Sequence, residues 1–211
     1  MEFAKETAVI PDCCRLSQRF NNLNPTVHLE SLPSEHMNQN KNARRKKWSV
    51  LNHFNDKDHE SDIYYSWPEL KELFDGFPGS IEYAHISLLP AGGILKVHRD
   101  GYGRNVLHRP QFPLFNCTLR FHIPLMTNND CVVYCEDRFY HMDEGECWML
   151  NNFSPHAAVN EHSSQGRYHL IFDVKPNHDT MKLIDEADET LGYEDVDFFD
   201  RHWPELLIQN R

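Results

Sequence analysis

Between Ile81 and Val174 the chain is cut into eight short apolar runs: Ile81 to Leu89, Ile94 to His98, Asn116 to Leu125, Cys131 to Cys135, Arg138 to His141, Glu146 to Leu150, His156 to Asn160 and Arg167 to Val174. Turn-forming clusters separate them, among them Pro90-Ala91-Gly92-Gly93, Asn128-Asn129-Asp130, Asp143-Glu144-Gly145 and Ser163-Ser164-Gln165-Gly166. Runs this short, bounded by turn residues, read as strands. A parallel sheet would need a long helical crossover between consecutive strands, and none fits between them. The expected fold is therefore mainly β: a double-stranded β-helix (jelly roll, cupin-like) with flanking helices.

The flanks read differently. With 211 residues, the chain has material for the core of one domain and little room for a second. The expected layout is one domain over 1–211: an N-terminal flanking segment with short helices over 1–80, the jelly-roll core over 81–175 and a C-terminal helical segment over 176–211. Trp67 to Phe74 has Pro68 near a helix start and apolar residues at helical spacing. Thr180 to Leu191 carries Met181, Ile184, Ala187 and Leu191 along one stripe. Residues 1–50 are rich in Asn, Ser, Pro and charge, and offer a partner surface or a strand added to the sheet. Within them Asn38 to Lys47 reads as a basic surface loop, and Arg44-Arg45-Lys46-Lys47 admits either a solvated run or a nuclear address.

A formal net charge of -11 would repel a phosphate backbone, so no nucleic-acid partner is expected. Met1 to Pro11 lacks the apolar centre of a signal peptide, and no run is long and apolar enough to span a bilayer. No membrane partner and a cytoplasmic location are the expectation; the sequence leaves the oligomeric state open. The six cysteines match neither a disulfide framework nor a paired zinc motif, and Cys131 and Cys135 would share one face of a strand as small apolar residues.

Of the 14 histidines, position selects few. His98-Arg99-Asp100 puts an imidazole and a carboxylate on one face of an extended strand. Such a pair fits a surface contact as well as two ligands of one metal. His156 is the best third ligand, completing the two-histidine, one-carboxylate set that leaves positions open on iron. Arg167 opens the apolar strand that follows and would suit one end of a dicarboxylate. In Thr118 to Pro124, alternation places Leu119, Phe121 and Ile123 on one face and Arg120 and His122 on the other. That second face fits solvent or a site.

From Glu82 to Val174 the chain resembles the aspartyl/asparaginyl β-hydroxylase family of iron and 2-oxoglutarate oxygenases, including bacterial relatives that hydroxylate free proline. The likeness rests on His85-Ile86-Ser87 leading through a Pro-Gly turn to His98, and on Leu119-Arg120-Phe121-His122-Ile123-Pro124-Leu125. It continues through Gly145 to Asn152, Pro155 to Asn160, and Arg167 in its strand.

The resemblance implies Fe(II) held by His98, Asp100 and His156, with 2-oxoglutarate as cosubstrate and O2 as oxidant. It places Arg167, Ser87, His122 and Arg120 around the 2-oxoglutarate. Asp100 stands where the bacterial members carry their carboxylate ligand and where the vertebrate peptide-modifying members have none. The implied reaction hydroxylates an unactivated carbon of an amino acid or amino-acid residue, releasing succinate and CO2; the partner is thus a small-molecule or peptide substrate. The segment from Gly101 to Phe115, longer than in the peptide-modifying enzymes, brings Tyr102, Arg104, His108 and Arg109 beside the ligands, either as a lid that meets substrate or as a solvated loop; Asn151 is a further substrate candidate. The alternatives are a cupin-type metal enzyme without 2-oxoglutarate and a non-catalytic ligand-binding or sensor module.

Overall fold

The computed structural model describes residues 10–23, 25–30, 32, 46–53, 59–100 and 118–202. Among them, in chain order, are β1 (Cys13–Arg19), α1 (Pro25–Glu30), β2 (Lys46–Asn52), β3 (His59–Glu60), α2 (Asp62–Ser66), α3 (Pro68–Gly76), β4 (Ser80–Leu89) and β5 (Ile94–His98). They continue as β6 (Leu119–Met126), β7 (Cys131–Cys135), β8 (Arg138–Tyr140), β9 (Glu146–Leu150), β10 (His156–Asn160), β11 (Arg167–Lys175), α4 (His178–Asp185) and α5 (Phe198–His202). The strands form two antiparallel sheets, ordered β1-β9-β6-β11-β4-β2-β3 and β5-β10-β7-β8. They face each other as the two halves of a jelly roll.

Alternation along the central strands of the larger sheet divides its residues between two buried layers. Ile86 and Leu88, Phe121, Ile123 and Leu125, and Leu170, Phe172 and Val174 point outward into the main core. There they meet Leu70, Leu73 and Phe74 of α3 and the following Phe77. Phe77 lies edge-on to Phe121 and Phe172, each at 5.0 Å between ring centroids. Burying a side chain of this size contributes about 1.5–3 kcal/mol, so this helix-covered face is a principal source of stability. The helix α3 starts with Pro68 in its first turn and stops where Phe77 turns extended, its N–H donating to the Leu73 carbonyl. Gly79 then takes φ +102, with Val174 and the Lys175 carbonyl close against it, a backbone that only glycine adopts without strain.

The opposite face of the same strands carries Ser87, Arg120, His122, Arg167 and Asp173, all turned toward the second sheet. A smaller apolar cluster between the sheets joins Leu89, Val133, Tyr140, Met142, Trp148 and Leu150. On the far side of the second sheet, Phe139, Ala157 and Val159 pack under Phe198 of α5.

Two sequence expectations change. The first 50 residues contribute two strands, where a loop was expected at Lys46 and Lys47. These two residues open β2, which pairs with β4, while Arg44 and Arg45 lie outside the described residues. The strand β1 adds beside β9 with Cys13 opposite Leu150; only Cys14 and Leu16 face the main core, too short a pattern to stand out. The C-terminal helix ends at Asp185 instead of Leu191, because the Asp188 backbone exchanges hydrogen bonds with Arg15 of β1 at 2.9 and 3.0 Å. Its start is set by a capping box between Asn177 and Thr180. No described helix is long and apolar enough to cross a membrane.

Asn160 at the end of β10 is fully buried. Its Nδ2 donates to the carbonyls of Leu89, Pro90 and Gln165 at 3.2, 3.2 and 2.8 Å, holding the β4–β5 turn against the β10–β11 loop. Asn160→Ala strands these carbonyls, and each buried unpaired group costs about 1–3 kcal/mol. The expected loss is about 2–3 kcal/mol of unfolding free energy, read as a lower urea midpoint at unchanged slope.

Candidate metal centre

The strand β10 pairs with β5 so that His156 lies opposite His98, with ring centroids 4.2 Å apart. Asp100 sits two residues past His98, beyond the end of β5, where its N–H donates to the Asn152 carbonyl at 2.8 Å. The turn after β9 thus fixes the carboxylate that the strand alone would leave loose. Asp100 Oδ1 is 3.5 Å from His98 Nε2, and Asp100 Oδ2 is 3.9 Å from His156 Nε2. One ligand atom from each of the three residues lies within 4.8 Å of the others.

Both imidazoles are held in one tautomer. His98 Nδ1 lies 2.7 Å from the Lys96 carbonyl and His156 Nδ1 lies 2.9 Å from the Ser154 carbonyl. A carbonyl only accepts, so each Nδ1 carries a proton and each Nε2 keeps its lone pair for the shared centre. Burial, reinforced by the neighbouring His98, lowers the His156 pKa to about 4. Burial works to raise the Asp100 pKa, but Arg120, helped by His156, His98 and Lys47, outweighs it and holds the group at about 2. At neutral pH His156 is therefore neutral and Asp100 anionic, the states a divalent cation requires of its ligands.

A cavity opens beside the three residues. Ser87, His122 and Arg167 supply polar groups to its wall, and Leu89, Leu95 and Val133 supply apolar ones. Arg167, at the start of β11, is 5% exposed. Its Nε and Nη1 have no hydrogen-bond partner among the described residues. Burial pulls its pKa down to about 10, which still leaves the group cationic at neutral pH. A buried guanidinium with open donors is costly to maintain unless an anion completes it. His122 Nδ1 lies 3.4 Å from His169 Nδ1, tying its ring to β11.

Of the candidate site residues, the structure places Asp100, His156, Ser87, His122, Arg167 and Arg120 in the wall of one cavity, with His98 clustered against Asp100 and His156 beside it. Arg120 is otherwise engaged than expected: its Nε and Nη2 donate to Asp173 Oδ1 and Oδ2 at 2.7 and 2.8 Å, and its Nη1 donates to Asp100 Oδ2. Asn151 does not line the cavity; its Oδ1 accepts from the Phe153 N–H at 3.2 Å and its N–H donates to the Asp12 carbonyl at 2.8 Å, so it shapes a turn. Tyr102, Arg104, His108 and Arg109 lie outside the described residues. Asp173 is the residue that sequence reading missed. Its signal was present: Arg167, His169, Ile171 and Asp173 alternate onto one face, and a carboxylate within so apolar a strand calls for a cation.

The family described as Aspartyl/Asparaginyl beta-hydroxylase matches residues 17–176. L-proline cis-4-hydroxylase of Rhizobium meliloti (strain 1021) is 36% identical over 68 residues, which is 32% of this chain and 24% of that protein. The match thus spans about a quarter of the curated relative's length. Among solved structures, the viral collagen prolyl hydroxylase of Paramecium Bursaria Chlorella virus-1, in complex with 2OG, has a TM-score of 0.50 at 8% identity, over 79% of this chain and 96% of that one. A prolyl-4-hydroxylase of Pseudomonas putida has a TM-score of 0.48 at 12% identity, over 79% and 94% of the two chains. At such identities the viral enzyme attests the fold alone. The family match covers most of the chain and every strand that carries the clustered residues, and on it the chain belongs to the aspartyl/asparaginyl β-hydroxylase family.

Proposed function

We propose that the protein is an iron(II)- and 2-oxoglutarate-dependent hydroxylase acting on an unactivated carbon of an amino acid or amino-acid residue. The observation that carries this reading is Arg167, a buried guanidinium with open donors in the wall of a cavity that Asp100 and His156 of the three-residue cluster also line. One anion is needed at Arg167 and one cation at His98, Asp100 and His156, and a dicarboxylate that also chelates a metal meets both needs. The donor set of two imidazole nitrogens and one carboxylate fits iron(II). Iron held there would supply the oxidative chemistry, in which O2 converts 2-oxoglutarate to succinate and CO2 and hydroxylates the substrate.

The chain's own contribution is position and exclusion of water. Arg167 takes the far carboxylate of 2-oxoglutarate through its planar fork, and the Ser87 hydroxyl and His122 ring add polar contacts along the cosubstrate. Leu89, Leu95, Val133 and Leu150 wall the cavity with hydrocarbon, which strengthens each of these polar contacts. The match to L-proline cis-4-hydroxylase supports a substrate of the proline class, free or within a peptide. Tyr102, Arg104, His108 and Arg109 are candidates to meet it.

Purified protein with iron(II), ascorbate and 2-oxoglutarate should release succinate in air and not under argon. One member of a panel of free amino acids and prolyl peptides should stimulate the release, and His98→Ala should abolish it. Failure to bind 2-oxoglutarate in the presence of metal would overturn the reading. Arg167→Ala should raise the Kd for 2-oxoglutarate roughly 10- to 100-fold, since hydrogen bonds to a charged group contribute about 1.5–3 kcal/mol. Metal affinity should hold in that variant, and an unchanged 2-oxoglutarate Kd would leave a metal protein of another kind. Cobalt(II) at a hundredfold its Kd should stabilise the fold by about 2.7 kcal/mol, an increment that a chelator removes and that His156→Ala never shows.

A further inference from the structure

We infer that Asp173 and Arg120 are a positioning pair for the Asp100 carboxylate, and that Arg120 acts through that carboxylate in place of anchoring the cosubstrate. The inference rests on the proposed iron site and goes beyond it by assigning residues that touch neither metal nor 2-oxoglutarate.

Asp173 of β11 and Arg120 of β6 are register partners in the larger sheet, so their side chains leave adjacent backbone positions on the same face. Their side chains are 7% and 14% exposed. Asp173 takes the guanidinium by two parallel bonds, at 2.7 Å to Nε and 2.8 Å to Nη2, which fixes the plane of the fork. The remaining edge, Nη1, then reaches across to Asp100 Oδ2. One oxygen of Asp100 is held by Arg120, and the other lies 3.5 Å from His98 Nε2. The carboxylate is thus presented with Oδ1 toward His98 and Oδ2 3.9 Å from His156 Nε2, and the Arg120 bond to Oδ2 locks its rotation.

For Arg120 to swing its Nε edge round to a substrate carboxylate, it would have to abandon Asp173, leaving a buried anion unpaired. Its fork is therefore committed to the two carboxylates. The contact from this pair to Asp100 also spans the two sheets, because Asp100 follows β5 of the smaller sheet while Arg120 and Asp173 belong to the larger one. The ligand carboxylate is referenced to the rigid centre of the fold in place of its own strand end.

The test uses cobalt(II) as probe in the full chain, with Asp173→Asn and Arg120→Lys beside wild type. Folding is checked by circular dichroism, and cobalt binding is read from its Kd and its visible d–d band. Loss of a partner that orients a metal ligand typically weakens metal binding 10- to 100-fold, and each variant is expected to lose roughly that much with a changed d–d band. The Kd for 2-oxoglutarate at saturating cobalt should stay at the wild-type value. If Asp173→Asn does not fold, Arg120→Lys, which keeps the buried charge and loses the fork, decides alone. Wild-type cobalt Kd and spectrum in a folded variant, or a change confined to substrate KM, would overturn the pair. If wild type itself binds no cobalt and matches His98→Ala, the iron site falls, and the pair with it.

Discussion

The contact on which the site depends is the guanidinium of Arg120 between two carboxylates. Three charges sit together, Arg120 and Asp173 largely out of water and Asp100 at the rim, and the buried ones persist only when each has a partner. Asp173 contributes an anion from β11, Asp100 one from the end of β5, and Arg120 the cation from β6. Remove the central charge and two anions face each other, with Asp100 no longer held well below the carboxylate range. The cluster therefore does two things at once: it joins the two sheets by ionic bonds, and it fixes the charge and orientation of the carboxylate beside the two imidazoles.

Such a polar interior is tolerable because the same strands bury hydrocarbon on their other face. Phe121 and Phe172 lie one residue from Arg120 and Asp173, and they point into the aromatic core beneath α3. Each charged side chain is thus carried by a backbone that its apolar neighbours immobilise. Placing functional groups on central strands gives tighter positioning than a loop would. The exception is Asp100, which lies beyond its strand and borrows its rigidity from the Asn152 carbonyl and from Arg120.

What the sequence made legible follows from period. Eight apolar runs bounded by turn residues marked β4 to β11 closely, since strand alternation is a local property. His98, Asp100 and His156 were legible as types at suggestive spacing, but their convergence depends on β5 pairing with β10, a contact across 58 positions in the sequence numbering. The strands β1 and β2 were hidden because each turns only two or three apolar residues toward the core and β2 opens with a basic run. The tautomer of each imidazole was beyond reach, since the carbonyls of Lys96 and Ser154 that set it carry no side-chain signature. Arg120 read as a site residue and is one of the cluster, yet its partner Asp173 looked like one more polar residue in an apolar strand.

The two buried arginines of the inner face have opposite fates, and the sheet register explains why. Arg167 pairs in register with Leu89, so its cross-strand neighbour on β4 is hydrocarbon, and burial leaves its fork open. Arg120, on the neighbouring strand β6, sits opposite Asp173, six residues further along β11, and is neutralised there. An anion entering the cavity therefore meets one end where the positive charge is already balanced and another where it is not. Polarity of this kind orients an asymmetric anion before any metal contact forms. On the proposed reading the open end would take the part of the ligand that does not react, and the neutralised end would face the cation that His98, Asp100 and His156 would hold.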